Sequence, residues 1–179
     1  MPKTNTKEMG FEDFIENELL ALHGYKSRTT ANFDKKLAMD TELVVQFVST
    51  SQPDEWQKVT EQYGVDVSER FLVRLDSEIA ERGLLDILRK GVRDRGVTIR
   101  LAFWQPQNDL NPELVTEYNQ NILSVMRQVK YSEKNENSID VVMFLNGLPV
   151  FTVELKNQLT GQTVRHAMAQ YRNDRDPRE

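Results

Sequence analysis

The chain contains no cysteine among its 179 residues and only two histidines, His23 and His166. It can therefore form no disulfide and no thiolate metal site, which agrees with the reducing cytoplasm as its expected location. Two histidines are too few for a multi-histidine zinc site, so any metal ligands should be oxygens, which suits magnesium or manganese. No apolar run is long enough to span a membrane, and the start, MPKTNTKEMG, lacks the apolar region of a signal peptide.

An excess of positive charge is also missing, because the formal net charge is −5. Residues 1–90 hold 12 basic and 17 acidic side chains, whereas residues 91–179 hold 11 of each. Nothing in the chain resembles a strongly basic DNA-binding module, so we expect the chain alone to bind nucleic acid weakly. No G-x-x-x-x-G-K-[ST] motif occurs, which excludes ATP binding of the P-loop type in this chain.

The length fits one domain spanning residues 1–179, large enough to bury a core. Apolar periodicity, caps and breakers predict a mostly helical section at 41–94 and an α/β fold overall. Trp56 and Trp104 are predicted to be core residues. Helices are predicted over 11–23, 40–48, 53–63, 68–80, 84–92, 111–119 and 162–173, and strands over 97–104, 122–131, 138–146 and 149–155, with a short strand as an option in 25–38.

The most informative residues are Asp140, Glu154 and Lys156, on two apolar strands joined by Asn146-Gly147, a hairpin signal. Strand alternation puts Glu154 and Lys156 on one face, where an antiparallel partner can bring Asp140 beside them. Two carboxylates and a lysine can hold a hard divalent cation that activates water and leave an amine to stabilise charge on a phosphate. The simpler interpretation is an ion pair on an exposed strand face. The near-continuous apolar runs at 141–145 and 150–153 predict central strands instead, where such charges are costly unless they have a function.

The segments SIDVV (138–142), LNGLPV (145–150) and VELKN (153–157) resemble the nuclease core of the restriction subunit of type I restriction-modification enzymes. The segments LHGY (22–25), SQPDEW (51–56) and AQYR (169–172) agree, so the resemblance covers essentially the whole chain in order. It implies a PD-(D/E)xK nuclease-like mixed central sheet flanked by helices, with 41–94 as an added helical section. It also implies cleavage of double-stranded DNA with magnesium, or manganese in its place, as the cofactor.

Carried over by residue, the resemblance makes Asp140, Glu154 and the Leu155 carbonyl metal ligands and Lys156 the catalytic lysine. Gln170 corresponds to the glutamine of a Q-x-x-x-Y motif, although here Tyr171 is adjacent to it and Asp174 stands four residues later. Ile139 stands where the name of the superfamily has proline. A glutamate of the first helix often completes such sites, and Glu16 is the candidate, with Glu12 and Glu18 as rivals.

The last predicted helix has an apolar stripe of Val164, Ala167, Met168 and Tyr171. Arg165 and Arg172 are seven residues apart, hence on one side of that helix, where they can contact backbone phosphates without reading sequence. His166 shares a face with Gln170 and is either solvated or in contact with a phosphate.

The resemblance implies methyltransferase and specificity subunits as partners, and ATP for a translocase that follows the nuclease in this family. The chain is accordingly expected to be an N-terminal fragment of a longer motor subunit. Two further hypotheses stay open from the residues. One is a docking module that anchors the motor to its methyltransferase partner, suggested by the helical section 41–94. The other is a stand-alone repair or junction nuclease with the same core.

Overall fold

A computed structural model describes residues 6–108, 110–155 and 164–173, and the chain divides into two compact units. The sheet unit comprises Met1–Ala38, Leu123–Phe144 and Pro149–Glu179, and the helical unit comprises Met39–Ile122 and Leu145–Leu148. The predicted helical section at 41–94 lies within the helical unit. A single domain spanning residues 1–179 stays a prediction.

Outside residues 92–104, the helices and strands follow the order that the sequence predicts. The helices are α1 Thr6–His23, α2 Thr41–Ser51, α3 Pro53–Tyr63, α4 Val67–Arg82, α5 Leu84–Lys90, α6 Pro112–Asn119 and α7 Val164–Asn173. The strands are β1 Lys26–Ser27, β2 Val92–Asp94, β3 Val97–Ile99, β4 Leu123–Lys130, β5 Ser138–Leu145 and β6 Leu148–Val153. None of the described helices is both long and apolar enough to cross a membrane.

The sheet unit is built on a four-stranded sheet in the order β1-β4-β5-β6. Strand β1 runs parallel to β4, with Lys26 opposite Ser124. The connections from β4 to β5 and from β5 to β6 are too short for a crossover, so these pairs are antiparallel and the sheet is mixed. Helix α1 packs against β1 and β4. The predicted α/β class with a mixed sheet flanked by helices is therefore confirmed.

The prediction that both strands of the hairpin are central is wrong for β6. Strand β5 has a neighbour on each side, but β6 lies at the end of the described strand order. Val150 and Phe151 of β6 are accordingly 42% and 59% exposed, whereas Val141 and Phe144 of β5 are fully buried. The apolar run alone does not distinguish a central strand from an edge strand, because strand order depends on pairing far away in the sequence.

The hairpin turn consists of Asn146 and Gly147, both with positive φ, at 53° and 84°. Two such residues form the tight turn whose twist matches that of paired strands. Strand β6 therefore begins at Leu148, directly after the turn and one residue before the predicted start at 149. At Gly147 a side chain is also excluded sterically, because a Cβ atom would lie 2.4 Å from the carbonyl oxygen of Asp40.

The helical unit differs from the prediction in its strands. The sequence predicts helix through residue 92 and one strand over 97–104, but β2 and β3 form a separate antiparallel pair with Val92 opposite Ile99. Strand β3 ends at Ile99 because side-chain amides replace a strand partner beyond it. Gln52 bonds both backbone groups of Arg100, at 2.8 and 2.9 Å, and Asn121 bonds those of Phe103, at 3.1 and 2.7 Å.

Candidate active site

Asp140 occupies the third position of β5, and both of its carboxylate oxygens accept hydrogen bonds. The backbone N–H of Leu155 donates to Oδ2 at 2.6 Å, and the side-chain amide of Gln128, on β4, donates to Oδ1 at 3.1 Å. Leu155 follows β6 by two residues. The hairpin thus brings the backbone next to Glu154 into direct contact with Asp140.

Glu154 is half-buried and directly follows the last residue of β6. It lines an open groove of about 450 Å³ between β6 and α7, together with Phe151, Val164, Met168 and Arg172 among others. Arg172, predicted to contact DNA, is exposed at this groove, and Arg165 is exposed elsewhere on α7. Val164 and Met168, two members of the predicted apolar stripe, are 75% and 48% exposed.

Glu12, on α1, is the first-helix glutamate that the structure brings to Asp140. Only 4% of Glu12 is exposed, and its Oε1 accepts a hydrogen bond of 2.8 Å from the same Gln128 amide nitrogen that contacts Asp140. Burial raises the pKa of the Glu12 carboxyl above its ordinary value, the Gln128 hydrogen bond lowers it, and the negative charge of Asp140 raises it again. Two carboxylates from α1 and β5 therefore converge on one neutral amide.

Glu16, the candidate from the sequence, lies one helical turn further along α1 and has different partners. Its Oε2 forms an ion pair of 2.7 Å with Nε of Arg127, and its Oε1 accepts a hydrogen bond of 2.6 Å from Ser27. Arg127 also pairs with Asp13. Glu18, the other rival, is exposed. A ligand role for Glu16 stays a prediction, and Glu12 is the stronger structural candidate.

Several predicted site residues fall outside the part of the chain that the structure describes. Lys156 lies outside it altogether. Gln170 and His166 lie on α7, but their side chains, like those of Ala167 and Tyr171, are not among the described ones. Within the described residues, no three histidine or acidic side chains form a group that could hold a metal ion. The roles of Lys156 and Gln170 therefore stay predictions.

The described donors nevertheless fit magnesium. This ion commonly binds through one or two carboxylates, keeps several waters and takes further oxygens from a substrate phosphate. Glu12 and Asp140 supply two carboxylates of this kind, both held by hydrogen bonds and one of them nearly inaccessible to solvent. Two carboxylates that share one uncharged amide repel each other, and a cation bound between them would offset this repulsion. Manganese, which also prefers oxygen ligands, fits the same donors.

Sequence reasoning missed Gln128, which hydrogen-bonds both carboxylates, and Ser138, which contacts Gln128; it also missed Arg127, which pairs with Glu16 and Asp13. Ser138 Oγ donates to the Gln128 carbonyl oxygen at 3.1 Å. One signal could have indicated Gln128. The segment Val125-Met126-Arg127-Gln128-Val129 places two polar residues in succession between apolar ones, which interrupts the alternation of a strand with one buried face.

Comparison with known proteins identifies one family. Residues 12–179 match the family described as type I restriction enzyme R protein N terminus, so the match spans nearly the entire chain. No curated protein and no solved structure matches the chain.

Proposed function

We propose that this chain, which belongs to the family of the type I restriction enzyme R protein N terminus, is the metal-dependent endonuclease domain of a restriction system. The family supports the role in restriction. The observation that carries the nuclease assignment is the convergence of Glu12 and Asp140 on Gln128, next to the residue that follows Glu154. The substrate we propose is double-stranded DNA.

Each side chain of the site would have a separate task. Glu12 and Asp140 would hold the cation. The hydrogen bond from the Leu155 N–H fixes the orientation of the Asp140 carboxylate. Glu154 and the Leu155 carbonyl would add oxygen ligands from the end of β6. A magnesium ion held by these residues would polarise a substrate phosphate and lower the pKa of a water bound to it.

The remaining residues would act on the DNA itself. The Lys156 ammonium would stabilise negative charge that develops on the phosphate, and Gln170 would orient the nucleophilic water. Arg172, exposed at the groove beside Glu154, and Arg165 would contact the backbone on either side of the bond to be cleaved. None of these contacts reads a base, so sequence recognition would come from a specificity subunit and ATP-driven movement from a motor.

The test is cleavage of supercoiled plasmid with magnesium or manganese, by the chain alone and in its assembled complex with ATP. We expect Asp140→Asn to reduce the initial rate by more than about 100-fold, because loss of a metal ligand should exceed the roughly 10- to 100-fold effect of losing an outer-shell partner. Asp13→Asn is the matched control, because Asp13 is exposed on α1 and pairs with Arg127 away from Asp140. Glu154→Ala and Lys156→Ala should also abolish cleavage.

The same variants should be titrated with Mn²⁺ by calorimetry, which does not depend on turnover. The proposal predicts binding by the wild type and by Asp13→Asn, and loss of binding by Asp140→Asn. An Asp140→Asn variant that binds Mn²⁺ and cleaves like the wild type would refute it. Cleavage by the chain alone, without ATP, would instead favour a stand-alone nuclease with this site.

A second function, docking to the methyltransferase, is favoured by the surface of the helical unit. This unit contains none of the candidate site residues. Trp104, predicted to be core, is instead 56% exposed, and it lines an open groove of about 350 Å³ with Leu114 and Arg89 among others. If this groove receives the methyltransferase, Trp104→Glu in the full subunit should abolish assembly and spare Mn²⁺ binding. Unchanged assembly would exclude this groove as the docking site.

A further inference from the structure

Gln128 adopts an unusual backbone conformation for its position. It lies in the second half of β4, yet its φ is +50°. Residues other than glycine rarely adopt positive φ, and glutamine is not among the types that favour it. Such conformations persist when surrounding structure enforces them, and they concentrate at functional sites.

The burial pattern of β4 explains the conformation. Met126 and Val129 are both buried in the cluster that contains Val142 and Phe144, although they are three residues apart. In a regular strand, residues on one face are separated by two. Strand β4 therefore contains one additional residue, a β-bulge, and both Arg127 and Gln128 leave the core face there. Bulges change the direction of a side chain and are frequent beside active sites.

The redirected side chain of Gln128 uses both ends of its amide. The nitrogen donates to Glu12 at 2.8 Å and to Asp140 at 3.1 Å, and the oxygen accepts from Ser138 at 3.1 Å. This orientation is the favourable one, because ionised carboxylates only accept hydrogen bonds while a hydroxyl can donate to the amide oxygen. An arginine or lysine here would place a positive charge where the cation binds, and a glutamate would add a third negative charge.

We propose that Gln128 is a positioning residue, which keeps the carboxylates of Glu12 and Asp140 beside each other so that both can take part in binding a divalent cation. Its neutral amide hydrogen-bonds both carboxylates, and the bulge in β4 directs it there. This inference rests on the proposed function, since it assigns a role within the same metal site. Gln128 itself contacts neither substrate nor water in this scheme.

The experiment compares Mn²⁺ affinity, by calorimetry, with melting temperature for wild type and Gln128→Gly. Glycine adopts positive φ without strain, so this variant removes the amide and keeps the bulge. We expect an affinity about 10- to 100-fold lower, as for other outer-shell partners of metal ligands, with a melting temperature equal to that of the wild type or higher. A merely structural role would lower the melting temperature and leave the affinity of folded protein unchanged.

Two further variants make the test independent of how well the glycine variant folds. In Gln128→Asn the amide is one methylene shorter and cannot reach both carboxylates, so the affinity should fall to a similar extent. Ser138→Ala removes only the hydroxyl that orients the amide, so its affinity should lie between those of wild type and Gln128→Gly. Wild-type affinity in both Gln128 variants would overturn the inference while the proposed function stands. Absence of Mn²⁺ binding by the wild type would overturn both.

Discussion

The same substitution at two positions of α1, Glu12→Gln and Glu16→Gln, should change stability in opposite directions. The two glutamates are one helical turn apart, and glutamine matches glutamate in size. Glu12 faces another carboxylate through a neutral amide, whereas Glu16 faces a guanidinium. The pair therefore isolates the sign of the electrostatic environment, because helix propensity and packing volume hardly change.

The magnitude for Glu12 follows from the geometry. Its Oε1 and Oδ1 of Asp140 contact the same nitrogen, at 2.8 and 3.1 Å. The two oxygens therefore lie no more than about 6 Å apart, where the repulsion of two unit charges is about 0.7 kcal/mol at the dielectric constant of water and about 3 kcal/mol at an effective value of about 20. Glutamine removes this repulsion and the burial of a charge, but it weakens the charge-assisted hydrogen bond from Gln128 by about 1 kcal/mol.

The expected net effect of Glu12→Gln is a gain of about 1–2 kcal/mol in the free energy of unfolding without metal, from the balance of charge repulsion and hydrogen bonding. For a chain of this length that corresponds to a melting temperature about 2–8 °C higher. Glu16→Gln should instead lose about 1–2 kcal/mol, because a partly buried ion pair with Arg127 and the charge on the Ser27 hydrogen bond both disappear. Both values are measured by thermal denaturation followed by circular dichroism.

Repeating the denaturation with Mn²⁺ identifies the first-helix ligand. A ligand that binds only the folded state raises the melting temperature to an extent that grows with its affinity. We expect Mn²⁺ to stabilise wild type and Glu16→Gln alike and to have little effect on Glu12→Gln. Destabilisation by Glu12→Gln without metal would refute the reasoning about paired carboxylates. A loss of the Mn²⁺ effect in Glu16→Gln alone would make Glu16 the ligand.

Three further predictions concern the helical unit and the turns at its edge. Gly147→Ala should lower the free energy of unfolding by several kcal/mol, because the new Cβ would lie 2.4 Å from the Asp40 carbonyl oxygen. Gly96→Ala, at almost the same φ but with nothing within 4 Å, should lower it by only about 1–2 kcal/mol. Equal losses for the two variants in urea denaturation would contradict the clash. Asn146→Ala should lower the free energy of unfolding by about 2–4 kcal/mol, because it removes a fully buried amide that makes hydrogen bonds of 2.6 to 2.9 Å. A urea denaturation midpoint equal to that of the wild type would disprove this. Arginine partners lower the pKa of Glu78, so its stabilising effect is present above the ordinary carboxyl pKa and is lost as the pH falls through the lowered folded-state value. The stability difference between wild type and Glu78→Gln should therefore narrow in acid, and a difference that does not change with pH would exclude the ion pairs as its cause.

The parts of this protein that were predictable from sequence depend on local physics. Asp40 caps α2 by accepting a hydrogen bond from the Leu43 N–H, and this requires only residues within one turn of each other. Asn146-Gly147 forms the tight turn because both residues tolerate positive φ. These local signals determined the order of elements, and the segments around Asp140 and Glu154 carried the family resemblance.

Only the tertiary structure decided which side chains meet. Glu12 and Glu16 occupy nearly the same face of α1, so helical periodicity cannot distinguish the one beside Asp140 from the one beside Arg127. The bulge that directs Gln128 toward both carboxylates depends on how β4 pairs and packs in the sheet. The edge position of β6 and the early end of β3 also depend on residues that are distant in the chain. Strand order places β6 at the edge, and the side-chain amides of Gln52 and Asn121 bind the backbone beyond β3 in place of a strand partner. The sequence by itself determined most of the elements and the family to which the chain belongs, and long-range packing determined which side chains meet.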